Sequence, residues 1–479
     1  MKTLSTDLSA NKAYFLGQFA RAMDLMTRDL ELPFGAACLF ALDGLTDKQL
    51  ITLSILQPLL SGDLPRHPGD PLSLIQRKTL GAVDVKREDD LETLLTLLMS
   101  GFAVLCVAGC PQALAFGVQG FAVRSPEEPS GEVMQRGAKD GFTESAQTNM
   151  AMLRRRLKTP ALKFEPLSVG DRSHTQVILC YVEGAASPAL VASVKEKLAG
   201  AKLSSVLGGG YLTAFLEGGG LFSGVGRTER PDVVCGKLEE GRAALLVDGV
   251  PTAQLVPFLF VENFQTMDDY LTRPFYAAFV RWLKYLAFFV SILLPGAYVG
   301  VTAHHPELLP ETLMLTISKA EAETPFPVLV ETVMLYFLYE MLREAGLRTP
   351  RSLSATVGIV GGLVIGDTAV SAGLVSAPSL LVVALTVIAG YTIPRLYEPL
   401  SILRLGFLLA GGFFGVWGIM AGFALVLLLL CGETAFGVPL LAPLSPFKGK
   451  LAFRDVFTRR SWRKLSPSAA TPDRMPGAG

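Results

Sequence analysis

The sequence predicts an α/β cytoplasmic domain of two related subdomains, followed by an all-α polytopic membrane domain. Three observations predict it. Half of the 479 residues are hydrophobic, and the mean hydropathy of +0.42 is too high for an ordinary soluble chain. The apolar weight gathers beyond residue 273, where the stretch 352–393 carries a single charge, Asp367. That stretch is about twice the ~20 residues a helix needs to cross a bilayer. The more polar half before it repeats itself at a constant offset.

The repeat begins at 36–44 (AACLFALDG), a buried-strand pattern ending in a carboxylate and a glycine, and recurs at 176–184 (QVILCYVEG). A helical segment follows each, 47–60 and 188–198, the second opened by the N-cap pair Ser187-Pro188. Further on, 101–111 (GFAVLCVAGCP) matches 241–251 (GRAALLVDGVP), with Gly109 and Gly249 as turns into a second strand. Gly44 to Gly184 and Gly109 to Gly249 are the same 140 positions apart. Two α/β subdomains follow, 1–123 and 172–272, with repeating cores at 30–123 and 172–262. Each is a small sheet with helices against it. Between them, 124–171 reads as a linker: polar RSPEEPSGEV, then a basic helix over 143–158 carrying Arg154-Arg155-Arg156. Such a charge run is ordinarily solvated or salt-bridged; the alternative is contact with anionic lipid or another subunit.

Several function classes drop out. Formal net charge is zero, so no nucleic-acid partner is expected. The six cysteines show no paired spacing; Cys38, Cys106 and Cys180 lie in apolar strands and read as reduced core thiols. Cys106 and Cys110 are four apart but lack a His or Cys pair to complete a metal site. There is no phosphate-binding G-x-x-x-x-G-K-[ST], and Gly208–Gly210 and Gly218–Gly220 do not join a strand to a helix. His67, His174, His304 and His305 are scattered. No enzyme activity, cofactor or metal centre is expected. The opening MKTLSTDLSANK lacks the apolar core of a signal peptide.

The membrane domain is read as 273–436. A first span, 282–302, is preceded by Arg273, Arg281 and Lys284, which puts the soluble half in the cytoplasm, and Pro295-Gly296 predicts a kink. An interfacial helix over 308–323 follows. The next segment, 328–342, is apolar but holds Glu331 and Glu340. With Arg343 and Glu344 these form a candidate intramembrane polar network, expected to contain a carboxylate–arginine pair. Arg343, Arg348 and Arg351 then mark a cytoplasmic end. A hairpin, 354–394, goes out and back, turning at Ala377-Pro378-Ser379 and ending near Arg395 and Arg404. Its first half carries a small-residue stripe, Gly358, Gly362 and Gly366, continued by Ala369 and Gly373. Such a stripe lets helices approach closely, and with Asp367 beside it the stripe is a candidate pore-lining or helix-packing face. The block 405–431 is long for one span and short for two. The tail, 437–479, is basic and expected to be cytoplasmic.

Short stretches of the chain resemble signatures of the GerA family, the A subunits of spore germination receptors. In the soluble half they are RGAKDGFTES from Arg136, TNMAMLRRRL from Thr148, TERPD from Thr228 and LVDGVP from Leu246. In the apolar half they are HPELLP from His305, LREAGLRTP from Leu342 and IVGGLVIG from Ile359. The similarity runs from about Asp43 to Arg463, with a short N-terminus and Asp367 as departures. The resemblance implies a subunit in the inner spore membrane that works with a transporter-like B subunit and a lipoprotein C subunit, contacts membrane lipid, and forms a homo-oligomeric nutrient-gated cation channel. A close sporulation paralogue of the A subunits is the alternative within the family, and the LREAGLRTP and VGGLVIG stretches lean toward the receptor A subunit. A pore-less membrane scaffold and a secondary transporter are the alternative classes. The apolar half shows no inverted repeat of broken helices, against the transporter.

Overall fold

The computed structural model describes residues 3–61, 65, 69–78, 84–120, 128–129, 131–349, 366–447 and 452–460. The described residues form two compact units, 3–258 with 434–438, and 259–433 with 439–460.

The first unit holds two five-stranded antiparallel sheets. One is built from β1 (Leu25–Leu32), β2 (Gly35–Leu42), β3 (Val85–Glu88), β4 (Phe102–Val107) and β5 (Ala113–Gly117), in the order β1-β2-β4-β5-β3. The other is built from β6 (Leu162–Val169), β7 (Thr175–Val182), β8 (Gly226–Thr228), β9 (Ala243–Val247) and β10 (Ala253–Val256), in the order β6-β7-β9-β10-β8. The two chain paths are the same. Gly44 and Gly184 both follow the second strand of their sheet with φ of 77° and 86°, and Gly109 and Gly249 follow the central strand with φ of 80° and 84°. A side chain rarely adopts that left-handed backbone, so glycine recurs at both turns.

Helices cover both faces of each sheet. In the first, α1 (Leu8–Gln18) and α5 (Leu91–Leu98) pack on one face. The other face is covered by α2 (Lys48–Leu50), a π-turn (Ile51–Leu56), α3 (Gln57–Ser61) and α4 (Pro71–Lys78). In the second, α6 (Ala146–Arg156) and α9 (Pro231–Glu239) take one face, and α7 (Pro188–Ala199) and α8 (Gly209–Leu216) the other. With both faces covered, the central strands read as unbroken apolar runs instead of alternating ones.

The segment 124–171, expected to join the subdomains, supplies α6 and the edge strand β6 to the second sheet. Strand β6 alternates (LKFEPLSV, its last half exposed every other residue) because only one face of an edge strand is covered there. Helix α6 is salt-bridged. Arg156 pairs with Asp140 at 2.5 Å. Arg154 is fully buried: its Nε and Nη2 donate to Asp24 of the first subdomain at 3.2 and 2.8 Å, and its Nη1 to the carbonyls of Thr159 and Leu162. The rings of Phe19 and Phe164 lie against its guanidinium. One arginine thus ties the two subdomains together. Cys38, Cys106, Cys110, Cys180 and Cys235 are buried free thiols, and burial pushes Cys38 and Cys106 up to about 12. They are packing groups without nucleophilic character at neutral pH.

The second unit is helical. It contains α10 (Met267–Leu271), α11 (Pro274–His304), α12 (Glu311–Ala322), α13 (Val328–Arg348), α14 (Gly366–Ser371), α15 (Ala377–Tyr391) and α16 (Tyr397–Gly432). Two stretches, Pro274–His304 and Pro394–Gly432, are long and apolar enough to cross a membrane. The second is not straight. Gly415 has φ 61° and ψ −147°, and a Cβ on Gly418 would meet the Ala410 carbonyl while one on Gly422 would meet the Phe407 ring at 3.1 Å. Residues eight and fifteen apart come this close only if the helix folds back. The block therefore makes a tight hairpin of two limbs, 397–414 and 416–432, about 27 and 25 Å long at 1.5 Å per residue.

Ala377-Pro378-Ser379, expected as a turn, is the first turn of α15. Ser376 caps that helix by accepting from the Ser379 N–H, and proline fits the first turn because its missing N–H costs nothing there. The reversal lies just before it, at Gly373 with φ 66°.

Candidate functional site

Helix α11 contains Pro295 in its interior. Proline has no N–H, so the carbonyl four residues back, Ser291, loses its helical donor. In apolar surroundings an orphaned carbonyl is costly. Arg404 supplies the donor from limb 397–414: its Nε donates to the Ser291 carbonyl at 3.0 Å and its Nη2 to the Ser291 hydroxyl at 2.8 Å. From the sequence, the hairpin 354–394 ends near Arg395 and Arg404. Arg404 is 2 % exposed, because the proline-freed carbonyl and the carboxylate of α13 hold it inside.

That carboxylate is Glu340. It lies 4.0 Å from Arg404 Nη1 and accepts from Arg343 Nε at 3.2 Å and from Ser401 Oγ at 2.9 Å, and from the Tyr397 hydroxyl at 2.5 Å. The ring of Tyr336 lies against the Arg404 guanidinium, and its hydroxyl is 2.7 Å from Ser401 Oγ. Helix α15 joins through Gly390, where a Cβ would come within 3.1 Å of Arg404 Nη2. Arg404 therefore touches α11, α13 and α15 from its own helix. A charged side chain buried among apolar helices is a functional candidate by default.

The four residues grouped from sequence do not form one cluster. Glu340, Arg343 and Glu344 are together: Arg343 lies 3.9 Å from Glu344, which pairs with Arg348 at 2.7 Å. Glu331 is more than two turns away along α13, fully buried, with one oxygen accepting from the Ser376 N–H. Of the small-residue stripe, Gly358 and Gly362 lie outside the described residues. Gly366 is buried against Leu380, Ala369 packs with Leu335 and Val383, Gly373 makes the turn, and Asp367 is exposed.

A different glycine pair carries the tightest packing. Gly296 and Gly300 of α11 face Gly411 and Gly415 of α16: a Cβ on Gly296 would strike the Phe407 carbonyl, one on Gly411 the Gly296 carbonyl, and one on Gly300 would stand 3.2 Å from the Gly411 carbonyl. Both pairs have the G-x-x-x-G spacing (GAYVG and GGFFG). That spacing was legible; which two copies face each other is a tertiary fact. At the other end of α11, Arg281 is fully buried between Asp269 and Asp455, each at 3.0 Å. Arg459 donates to the Tyr270 and Thr272 carbonyls. These contacts bind 452–460 to the start of α11.

The family described as Bacillus/Clostridium GerA spore germination protein matches residues 13–469. Spore germination protein KA of Bacillus subtilis (strain 168) is 35% identical over 466 residues, covering 96% of this chain and 85% of that protein. The uncharacterized membrane protein YfkQ of the same organism is 37% identical over 405 residues, covering 84% and 79%. Among solved structures, the N-terminal domain of the A subunit of the Bacillus megaterium spore germinant receptor GerK3 is 31% identical, with a TM-score of 0.43, covering 54% of this chain and 98% of that one.

Proposed function

Because the chain belongs to the GerA family of spore germination proteins, we propose that it is the A-type subunit of a nutrient-sensing germination receptor, and that its helical unit forms part of a nutrient-gated cation path in an oligomer. The family match over nearly the whole chain carries the receptor reading. The buried Arg404–Glu340–Ser291 hub supports the membrane reading, since such a group is stable among apolar helices only when other helices satisfy it. The partners proposed are a transporter-like B subunit, a lipoprotein C subunit, further copies of this chain and membrane lipid. The site proposed is the inner spore membrane, with the soluble half and the 437–479 tail on the cytoplasmic side. The contacts of 452–460 with the start of α11 support placing the tail beside the base-rich end of that helix.

In this arrangement α11 runs outward, α13 inward, α15 inward and α16 out and back. The stretch 356–376 with Asp367 borders the path, where a ring of exposed carboxylates favours cations.

One observation favours a pore-less scaffold as the second reading. The G-x-x-x-G pairs at 296/300 and 411/415 are consumed by packing within a single chain, and so are not available to bring copies together. Deleting the chain from its spore-former tests the receptor reading. Spores are expected to lose their response to at least one nutrient, read as the fall in optical density, while still sporulating normally. Unchanged responses to every nutrient would contradict it.

A further inference from the structure

Glu331 is fully buried, and only one of its oxygens has a partner. Its Oε1 accepts from the Ser376 N–H; its Oε2 has no donor among the described residues. Neither Glu331 nor the nearby Glu321 of α12 has an ion-pair partner among the described residues. Between them stands a row of hydroxyls from two further helices. Ser376 Oγ donates to Ser379 Oγ at 3.0 Å, Ser379 Oγ to the Tyr298 hydroxyl at 3.3 Å, and that hydroxyl to Glu321 at 3.4 Å. Glu331 joins this row through the Ser376 N–H.

The chemistry of this set is uniform. It offers oxygen only, from two carboxylates and three hydroxyls, on α11, α12, α13 and the capped start of α15. Buried charge is tolerated when it is paired or bound to a cation, and hard monovalent or divalent cations take carboxylate and hydroxyl oxygens. Among the described residues no positive charge balances the pair of carboxylates.

We propose that Glu331, with Glu321, Tyr298, Ser376 and Ser379, binds an alkali-metal cation. The site holds α12, α13 and the start of α15 against α11, at the opposite end of the bundle from the Arg281 cluster. It stands on its own geometry and does not rest on the cation-path reading: a bound ion here stabilises the fold whether or not the subunit conducts.

The test is the thermal unfolding of the full-length chain in detergent, in sodium chloride, potassium chloride or choline chloride at equal ionic strength. The chain is expected to unfold about 3–5 °C higher in 150 mM sodium or potassium chloride than in choline chloride. Glu331→Gln, which keeps the shape and removes the charge, is expected to abolish the difference. Tyr298→Phe is expected to shift the half-effective salt concentration several-fold upward, and covers the case in which the glutamine variant fails to fold. Glu323→Gln, an exposed neighbour on the same side, is expected to keep the full difference. Equal unfolding temperatures of the native chain in the three salts would overturn the proposal. So would a Glu331→Gln chain that keeps the sodium or potassium effect.

Discussion

Replacing Arg404 with methionine is expected to abolish the nutrient response of spores carrying the variant as their only copy of the chain. It is also expected to lower the stability of the helical unit by about 3–5 kcal/mol. The side chain is fully enclosed, so methionine fills much of the volume and the loss is one of polar partners. The Ser291 carbonyl returns to the state that Pro295 leaves it in, without a donor. Glu340 keeps Arg343, Ser401 and Tyr397 but loses the opposing buried charge. A second substitution separates these effects. Pro295→Ala restores the N–H that the Ser291 carbonyl lacks, so Arg404→Met with Pro295→Ala is expected to regain about 1 kcal/mol over Arg404→Met alone. Arg404→Lys keeps the charge but not the forked donors, and is expected to fall between. Thermal unfolding in detergent reads the stability, and optical density of spore suspensions reads the response. An Arg404→Met chain with native unfolding temperature and native response would show that the hub is incidental.

The second large effect is expected in the soluble half. Arg154→Ala should cost about 3–5 kcal/mol, because Asp24, 3% exposed, is left as a buried charge without its partner, and the Thr159 and Leu162 carbonyls lose a donor. Since Arg154 lies on the second subdomain and Asp24 on the first, the loss should appear as faster hydrogen exchange on both sides of their boundary, along β1 and β6. Adding Asp24→Asn to Arg154→Ala removes the stranded charge and is expected to recover part of the loss. Exchange unchanged in both strands would mean that the sheets hold each other through other contacts.

The duplication was legible because its marks are local. A strand ending in Asp-Gly or Glu-Gly, and a turn glycine before a second strand, are set by backbone conformation, and Gly44, Gly184, Gly109 and Gly249 all adopt the left-handed region. The edge strand β6 was not legible: Lys163, Glu165, Pro166 and Ser168 break the apolar run that marks the central strands, with Lys163 buried on the Gln18 carbonyl and Pro166 and Ser168 left exposed at the sheet edge. Arg154 sits in a run of three arginines, and nothing in the run tells which one turns inward. The same limit governs the helical unit. The carboxylate–arginine pair on α13 follows from spacing within one helix, but Ser291 and Arg404 meet across 113 positions. The available hint was a proline inside an apolar helix, which obliges some distant donor to cap the freed carbonyl, and an arginine inside an apolar block to provide it.

Three of the four signatures of the soluble half also acquire a structural sense, the fourth being helix α6 itself. The Arg136 stretch and the Thr228 stretch are laced together by Phe142 N–H to Glu229 carbonyl at 2.8 Å and Arg230 Nη2 to Ala138 carbonyl at 2.7 Å. Asp248 of LVDGVP accepts from the Ala146 N–H at the start of α6 at 3.1 Å. They form one knot around the helix that carries Arg154, so their likeness to family signatures reflects the packing of the second subdomain.

The most direct measurement of the central claim is nutrient-triggered release of rubidium ions from lipid vesicles that hold the proposed B and C partner subunits, either with or without this chain. The account predicts release on adding nutrient only when the chain is present, and loss of most of that release with Arg404→Met at equal protein content. Release of equal rate from vesicles holding the B and C subunits alone would contradict it, and would leave this chain as a scaffold.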